Sequence, residues 1–387
     1  MGLPRVICCE SVIARGLKNP IRPSTTVNVA PARGSHSARS SIVILSCVPQ
    51  SHSVATAGIK IMKLCITYDM RAPEFGARRN NLYTAALDQV AWADDVGFDV
   101  VGLGEHHGSE DGYNPSPLIL ASAMAARTSK ILLRTSVLLA PLYDLPKLAE
   151  DAAVTQTISD GRLLLGIGAG YRPSEFATFG RDLKDRWRAM GETCEFLRLA
   201  WRGEPFEWNG RRCHITPAPD PGPPPILLGG SSKAAARRAA HIADDWFPPL
   251  DPRLWQPYRD ECIAMGKADP GAYPAQGPIF LWVSNNPDRD WEWIHPHVCH
   301  QLASYSAWTR EAFGEAAGPY AGKITEETVR QSSAYQVRTP EETLALGQEL
   351  GEHSVIYLNP LLAGIEPARA WEMLRLFENE VLPHLRP

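Results

Sequence analysis

No apolar run in the 387-residue chain approaches the roughly 18 residues that a membrane-spanning helix requires, so no membrane partner is expected. Charge of one sign is also scarce. The formal net charge of -4 leaves no basic excess for nucleic acid or an anionic surface, and no nucleic-acid partner is expected. The eight cysteines include no C-x-x-C and no paired spacing. That pattern favours free thiols in a reducing compartment, the cytoplasm, over a disulfide framework or a zinc site. Neither G-x-S-x-G nor a Walker phosphate loop occurs, which removes support for a serine hydrolase or a P-loop nucleotidase. No internal repeat is visible.

What is present alternates. Short apolar runs at Lys63 to Tyr68, Phe98 to Leu103, Ile131 to Leu139 and Arg162 to Gly168 are separated by segments of helical length near 81–96, 116–127 and 145–158. This is the pattern of parallel strands with helical crossovers, buried on both faces. A long helix is expected near 182–201, then a hairpin across Phe206 to Ile215 turning at Asn209 and Gly210, then an extended proline-rich connector from Pro217 to Pro225. Further strands are expected at Pro225 to Leu228, Asp245 to Phe247, Pro278 to Val283 and Ser354 to Leu358, with helices near 251–265 and 367–380. Eight strand-helix units point to one closed (β/α)8 TIM barrel of the α/β class, with insertions after helix 4 and after strand 7. The domain is expected over 62–387, and the insertion 284–340 as a lid or wall over the barrel mouth.

Residues 1–61 stand apart, with seven Lys/Arg against one acid, Glu10, and many serines. Such a segment fits a transit peptide. The simpler expectation is that Met62 is the true start, since a strand follows it directly. Under either reading this leader is expected to be disordered.

Two strand ends are glycine-rich. Gly102-x-Gly104 and Gly166-x-Gly168-x-Gly170 resemble dinucleotide fingerprints, but His107 and Tyr171 occupy the sixth positions, so the Rossmann reading fails. The glycines still indicate that something approaches the backbone closely. Gly229, Gly230, Ser231 and Ser232 open a helix, where free N–H groups and the positive dipole end suit a phosphate; a plain serine cap explains the same residues. Glu105, His106 and His107 end the second strand. Adjacent histidines on an extended backbone diverge, so no shared metal is expected, and one acid-base histidine is. His295, His297 and His300, with Trp291, Trp293 and Trp308, lie in the insertion and are read as part of its wall.

The spaced set from Phe98-Asp99 to Glu105-His106-His107, then Pro115-Ser116-Pro117, Ala126-Arg127-Thr128, Leu148-Ala149-Glu150-Asp151, Ser159-Asp160-Gly161-Arg162, Gly168 to Tyr171, Glu175-Phe176 and Phe179-Gly180 resembles the bacterial luciferase-like flavin-dependent oxidoreductases. The resemblance is closest over 62–250 and continues to the last helix. It implies a TIM barrel, often in homodimers, with FMN at the C-terminal mouth. Reduced FMN from a separate flavin reductase would, with O2, oxygenate a small organic substrate. The resemblance puts the catalytic histidine at His106. It gathers Glu105, Thr135, Ser136, Val137, Gly170 and Tyr171 around the cofactor and sets Gly229, Gly230, Ser231 and Ser232 at its phosphate. It also implies a cis peptide at Ser136-Val137. The same superfamily includes deazaflavin-dependent hydride-transfer enzymes, several with an Asp-His pair where this chain has Glu105-His106-His107. That difference favours FMN. A non-catalytic flavin-binding protein is a third possibility that the complete set of strands argues against.

Overall fold

The computed structural model describes residues 62–316 and 320–385, and the expected leader lies outside them. β1 (Lys63–Tyr68) pairs in parallel with β2 (Val100–Leu103) on one side and with β8 (Ser354–Leu358) on the other, so that Cys65 lies opposite both Val100 and Tyr357. Beyond β2 come β3 (Leu132–Thr135), β4 (Leu163–Gly168), β5 (Ile226–Leu228) and β6 (Asp245–Trp246), and beyond β8 comes β7 (Ala275–Gln276). Every pairing along this ladder is parallel, and helices connect the strands, giving the curled (β/α)8 arrangement expected.

Helix ends follow local chemistry. Arg79–Val96 stops at Gly97, whose left-handed φ of 91° turns its N–H onto Ala93 O. Lys233–Ile242 starts with Ser232 Oγ accepting from Ala235 N. One apolar cluster joins β1 and β2 to Arg79–Val96 and Pro367–Glu380; a second joins β4 and β5 to Leu145–Ile158, Arg186–Ala200 and Lys233–Ile242. Each fully buried side chain such as Leu133 or Phe377 contributes about 1.5–3 kcal/mol relative to exposure. No described helix is long and apolar enough to cross a membrane.

The structure departs from the sequence reading in four places. The run from Ile131 to Leu139 is not continuous: Ser136-Val137 is a cis peptide, as the resemblance implies, and Leu138–Leu139 resumes pairing with β4 beyond it. The hairpin forms, with Asn209 and Gly210 both at positive φ, but the connector after it is no uniform rod, because Thr216-Pro217 and Asp220-Pro221 are both cis. Phe280–Val283 is not the seventh barrel strand. It pairs with Tyr335–Arg338 in a separate two-stranded parallel sheet, and Ala275–Gln276 takes the place beside β8. Gly277 donates to Val355 O at 2.8 Å, and Pro278, having no N–H, ends that ladder. The described residues of 284–340 include the helix Pro287–Phe313, the short helix Glu326–Arg330 and the partner strand; a further helix, Pro340–Leu350, follows that the sequence reading lacks, although Thr339 and Glu342 make the capping box that announces it.

Candidate active site

Side chains at alternate positions of a strand share a face, and here the inward rows of four strands meet at their C-terminal ends. Thr67 and Asp69, Gly102 and Gly104, Arg134 and Ser136, Tyr357 and Asn359 all line one cavity of about 300 Å³. Gly230 and Ser231 after β5, and Phe247 to Leu250 after β6, line its far side. Gln301 and Tyr305 reach it from Pro287–Phe313.

The glycines of β4 and the one after β5 are closely approached, as the sequence indicated, and the structure shows by what. A Cβ at Gly166 would overlap the Thr135 carbonyl oxygen, and one at Gly168 would overlap the Val137 side chain. A Cβ at Gly229 would come within 2.9 Å of Val137 Cγ1. What approaches these glycines is the protein's own third strand.

The predicted site residues therefore separate into two groups. Ser136, Gly230 and Ser231 line the cavity. Thr135 is fully buried with Oγ1 donating to Gly166 O at 2.6 Å, Val137 is wedged against Gly168 and Gly229, and Gly170 faces the Phe176 ring. Gly229 donates to Ile167 O, and Ser232 is the helix cap. Glu105 is committed elsewhere: it accepts from Leu139 N at 2.6 Å, from Tyr143 Oη at 2.7 Å and meets His107 Nε2 at 2.9 Å, which fixes the turn after β3.

His106 lies one layer outside the cavity. Its ring is packed by Trp308 at 4.5 Å, Tyr113 at 5.0 Å, Tyr305 at 5.8 Å and Tyr171 at 5.9 Å, and Tyr113 and Tyr305 are themselves cavity residues. His106 Nδ1 meets Glu175 Oε1 at 2.8 Å, an oxygen that also accepts from His107 N and Arg172. Burial lowers the pKa of His106, with Glu175 pulling the other way. Burial pushes the Glu175 carboxyl up, but hydrogen bonds from His106 and His107 N and the Arg172 charge hold it below its ordinary value. A neutral imidazole beside an ionised carboxylate must donate from Nδ1, because the carboxylate can only accept; Nε2 is left with its lone pair.

The insertion histidines have separate partners. His297 Nδ1 meets Ala363 O, His300 Nε2 meets Asp111, and His295 is 3.8 Å from Glu326. Sequence reasoning missed Asp69, Arg134, Gln301, Tyr305, Tyr357 and Asn359. Arg134 was detectable: a cation inside a run of buried apolar residues is anomalous.

The cavity's chemistry suits a flat heterocycle with ring nitrogens and carbonyls. Its lining mixes apolar surface with amides, and the buried Asn359 Oδ1 has no hydrogen-bond partner among the described residues. Residues 66–356 match the family described as luciferase-like monooxygenase. The chain belongs to that family.

Among luciferase-like relatives, the oxygenase component of the flavin-dependent trigonelline monooxygenase of Acinetobacter baylyi is 30% identical over 148 residues, 37% of this chain and 41% of that protein. An F420-dependent glucose-6-phosphate dehydrogenase of Amycolatopsis mediterranei is 29% identical over 154 residues, 38% of this chain and 44% of that protein. The chain thus spans about two-fifths of the length of the curated relatives it matches. The oxygenating constituent of 3,6-diketocamphane monooxygenase from Pseudomonas putida, solved with FMN, superposes with a TM-score of 0.62 at 20% identity, covering 84% of this luciferase-like chain and 98% of that one.

Proposed function

We propose that this luciferase-like protein is an FMN-dependent monooxygenase that uses reduced FMN and O2 to oxygenate a small organic substrate. The observation that carries the reading is the convergence of Gly230, Ser231, Ser136 and Asn359 on one cavity at the strand ends of a family barrel. Gly230 and Ser231, at the start of Lys233–Ile242, would hold the phosphate, where helix N–H groups and dipole favour an anion. Asn359, Gln276 and Gln301 would bond the ring's edge. When bound and reduced, the ring supplies the electrons for the reaction of O2 with the substrate.

The protein's own part is threefold. Tyr113, Tyr305 and Trp308 exclude water around His106. His106, its Nδ1–H held by Glu175, offers Nε2 as a proton acceptor. Val137, pressed against Gly168 and Gly229, keeps the cavity floor rigid. A separate flavin reductase supplies the reduced cofactor, as the trigonelline relative's description as an oxygenase component suggests. Apolar Ile119, Val154 and Ile158, exposed on two neighbouring helices, support a homodimer.

The second reading, deazaflavin-dependent hydride transfer, draws support from the F420-dependent glucose-6-phosphate dehydrogenase and from an F420-dependent secondary alcohol dehydrogenase that superposes with a TM-score of 0.60 at 16% identity. Titrating the protein with FMN and with F420, then following O2 uptake after reduction, separates them. FMN binding with O2 consumption is expected. Binding of F420 alone, without O2 uptake, would replace the first reading by the second.

A further inference from the structure

Among the described residues, the cavity lining holds one buried cation with no acid beside it. Arg134 is 9% exposed, in the middle of β3, and lines the cavity floor. Its contacts among the described residues are all uncharged. Nε donates to Ser136 Oγ at 3.2 Å, one terminal nitrogen reaches Cys65 Sγ at 3.6 Å, and the guanidinium lies 4.4 Å from the centroid of the Phe247 ring. The hydroxyl of Tyr357 also faces it. Another buried guanidinium near this mouth, Arg71, is different: Asp69 and Asp111 stand 3.7 and 3.9 Å away, and three aromatic rings enclose it. Asp69, the acid on the cavity wall, is taken up by that arginine and by the N–H groups of Arg71 and Ala363. Arg134 thus stands in a largely desolvated place with no described carboxylate beside it.

A buried charge without a counter-ion is costly, and a ring face recovers only part of that cost. Such a group is retained where an anion arrives. A guanidinium fork matches a planar, delocalised anion whose two acceptor atoms share one carbon, and Phe247 offers a flat apolar surface beside it. We propose that Arg134 is the anion receptor of this cavity, and that its ligand is the reduced, singly negative form of the bound FMN ring. The inference rests on the FMN reading above. On reduction the ring takes up two electrons and one proton and keeps one negative charge, which Arg134 then balances. Arg134 would therefore make the protein prefer reduced over oxidised FMN.

The test is a comparison of Arg134→Met, Arg134→Lys and the wild type, measuring the affinity of each for oxidised FMN and the midpoint potential of the bound FMN under dithionite titration. Arg134→Met should bind oxidised FMN within about threefold of wild type yet lose at least about tenfold of its preference for the reduced form. For a two-electron couple that is a potential lower by about 30 mV. Arg134→Lys should keep most of the preference. Because Met relieves an unpaired buried charge, ligand-free Arg134→Met should melt no lower than wild type. Equal potentials in Met and wild type would overturn the inference while leaving the FMN reading intact. If the wild type binds no FMN in either state, both fall together. A carboxylate source for the anion would show as benzoate displacing nothing from Arg134→Met but competing with oxidised FMN in the wild type, and that result too would overturn the assignment to the reduced ring. Should Arg134→Met fail to fold, a drop in potential on the charge-preserving Arg134→Lys as large as 30 mV would count against a charge role.

Discussion

At His106 two effects of opposite sign meet in one ring. Burial drives the imidazole towards its neutral form, whereas the ionised Glu175 stabilises the charged one. Since Glu175 raises the pKa of His106, removing its charge must lower it further. Glu175→Gln should therefore move the ring-proton titration of His106, followed by proton NMR, to lower pH than in wild type, where it already lies below the ordinary value near 6.5. A shift to higher pH would show that Glu175 does not carry a negative charge there. The stability consequence has the same direction. His106 and Glu175 are both lowered in the folded state, so the stability they contribute is complete above about pH 6.5, the unfolded value for histidine, and is lost as pH falls through their folded values. His297, lowered by burial, adds to that loss. His106→Ala should keep cofactor binding, because the cavity lining does not include it, and lose most turnover, by about 10²-fold or more for a general base.

At the level of elements, β3 and β4 explain each other. Gly166→Ala must displace the backbone carbonyl of Thr135, which has no rotamer to escape into, and should destabilise by about 1–3 kcal/mol in chemical denaturation. Gly191→Ala, inside Arg186–Ala200 with open space around its Cβ position, should instead stabilise by about 0.5–1 kcal/mol through helix propensity. The same sign for both would refute the packing account. This pair also shows what a sequence can tell. The parallel strands, their crossover helices and the Asn209-Gly210 turn were legible, because apolar runs and left-handed residues signal local structure directly. The glycines of β4 were legible as a close approach, but not what approaches, since the neighbour across the ladder is set by tertiary pairing. The cavity's polar rows escaped notice for the same reason: Thr67, Arg134 and Tyr357 lie far apart in the chain and come together only when β1 pairs with both β2 and β8 and β2 pairs with β3.

For the molecule as a whole, the ladder is long in the middle and short at its ends. β6 is in register with β5 at two positions, Asp245 and Trp246, β7 with β8 at two, Ala275 and Gln276, and no described ladder joins β6 to β7. Side-chain bonds span that seam instead, with Tyr273 Oη donating to Pro249 O at 2.8 Å and Trp255 Nε1 to Gly271 O at 3.0 Å. Few backbone bonds mean a low free energy of local opening. The seam also borders the cavity, since Phe247 to Leu250 follow β6 and Gln276 and Gly277 belong to the end of β7. Opening the seam should thus open the binding site, and a ligand in that site should hold the seam shut. In hydrogen exchange, the amides of Phe247 and Gly277, bonded to Leu228 O and Val355 O, should exchange faster than those of Ile66 and Val101 in the centre. FMN at one hundred times its Kd should then slow the two seam amides by up to about a hundredfold, the limit set by about 2.7 kcal/mol of linkage, while central amides change only if they too open through the seam. Seam amides as protected as the centre in the free protein would mean that the side-chain bridges, and not the ladder, close this barrel.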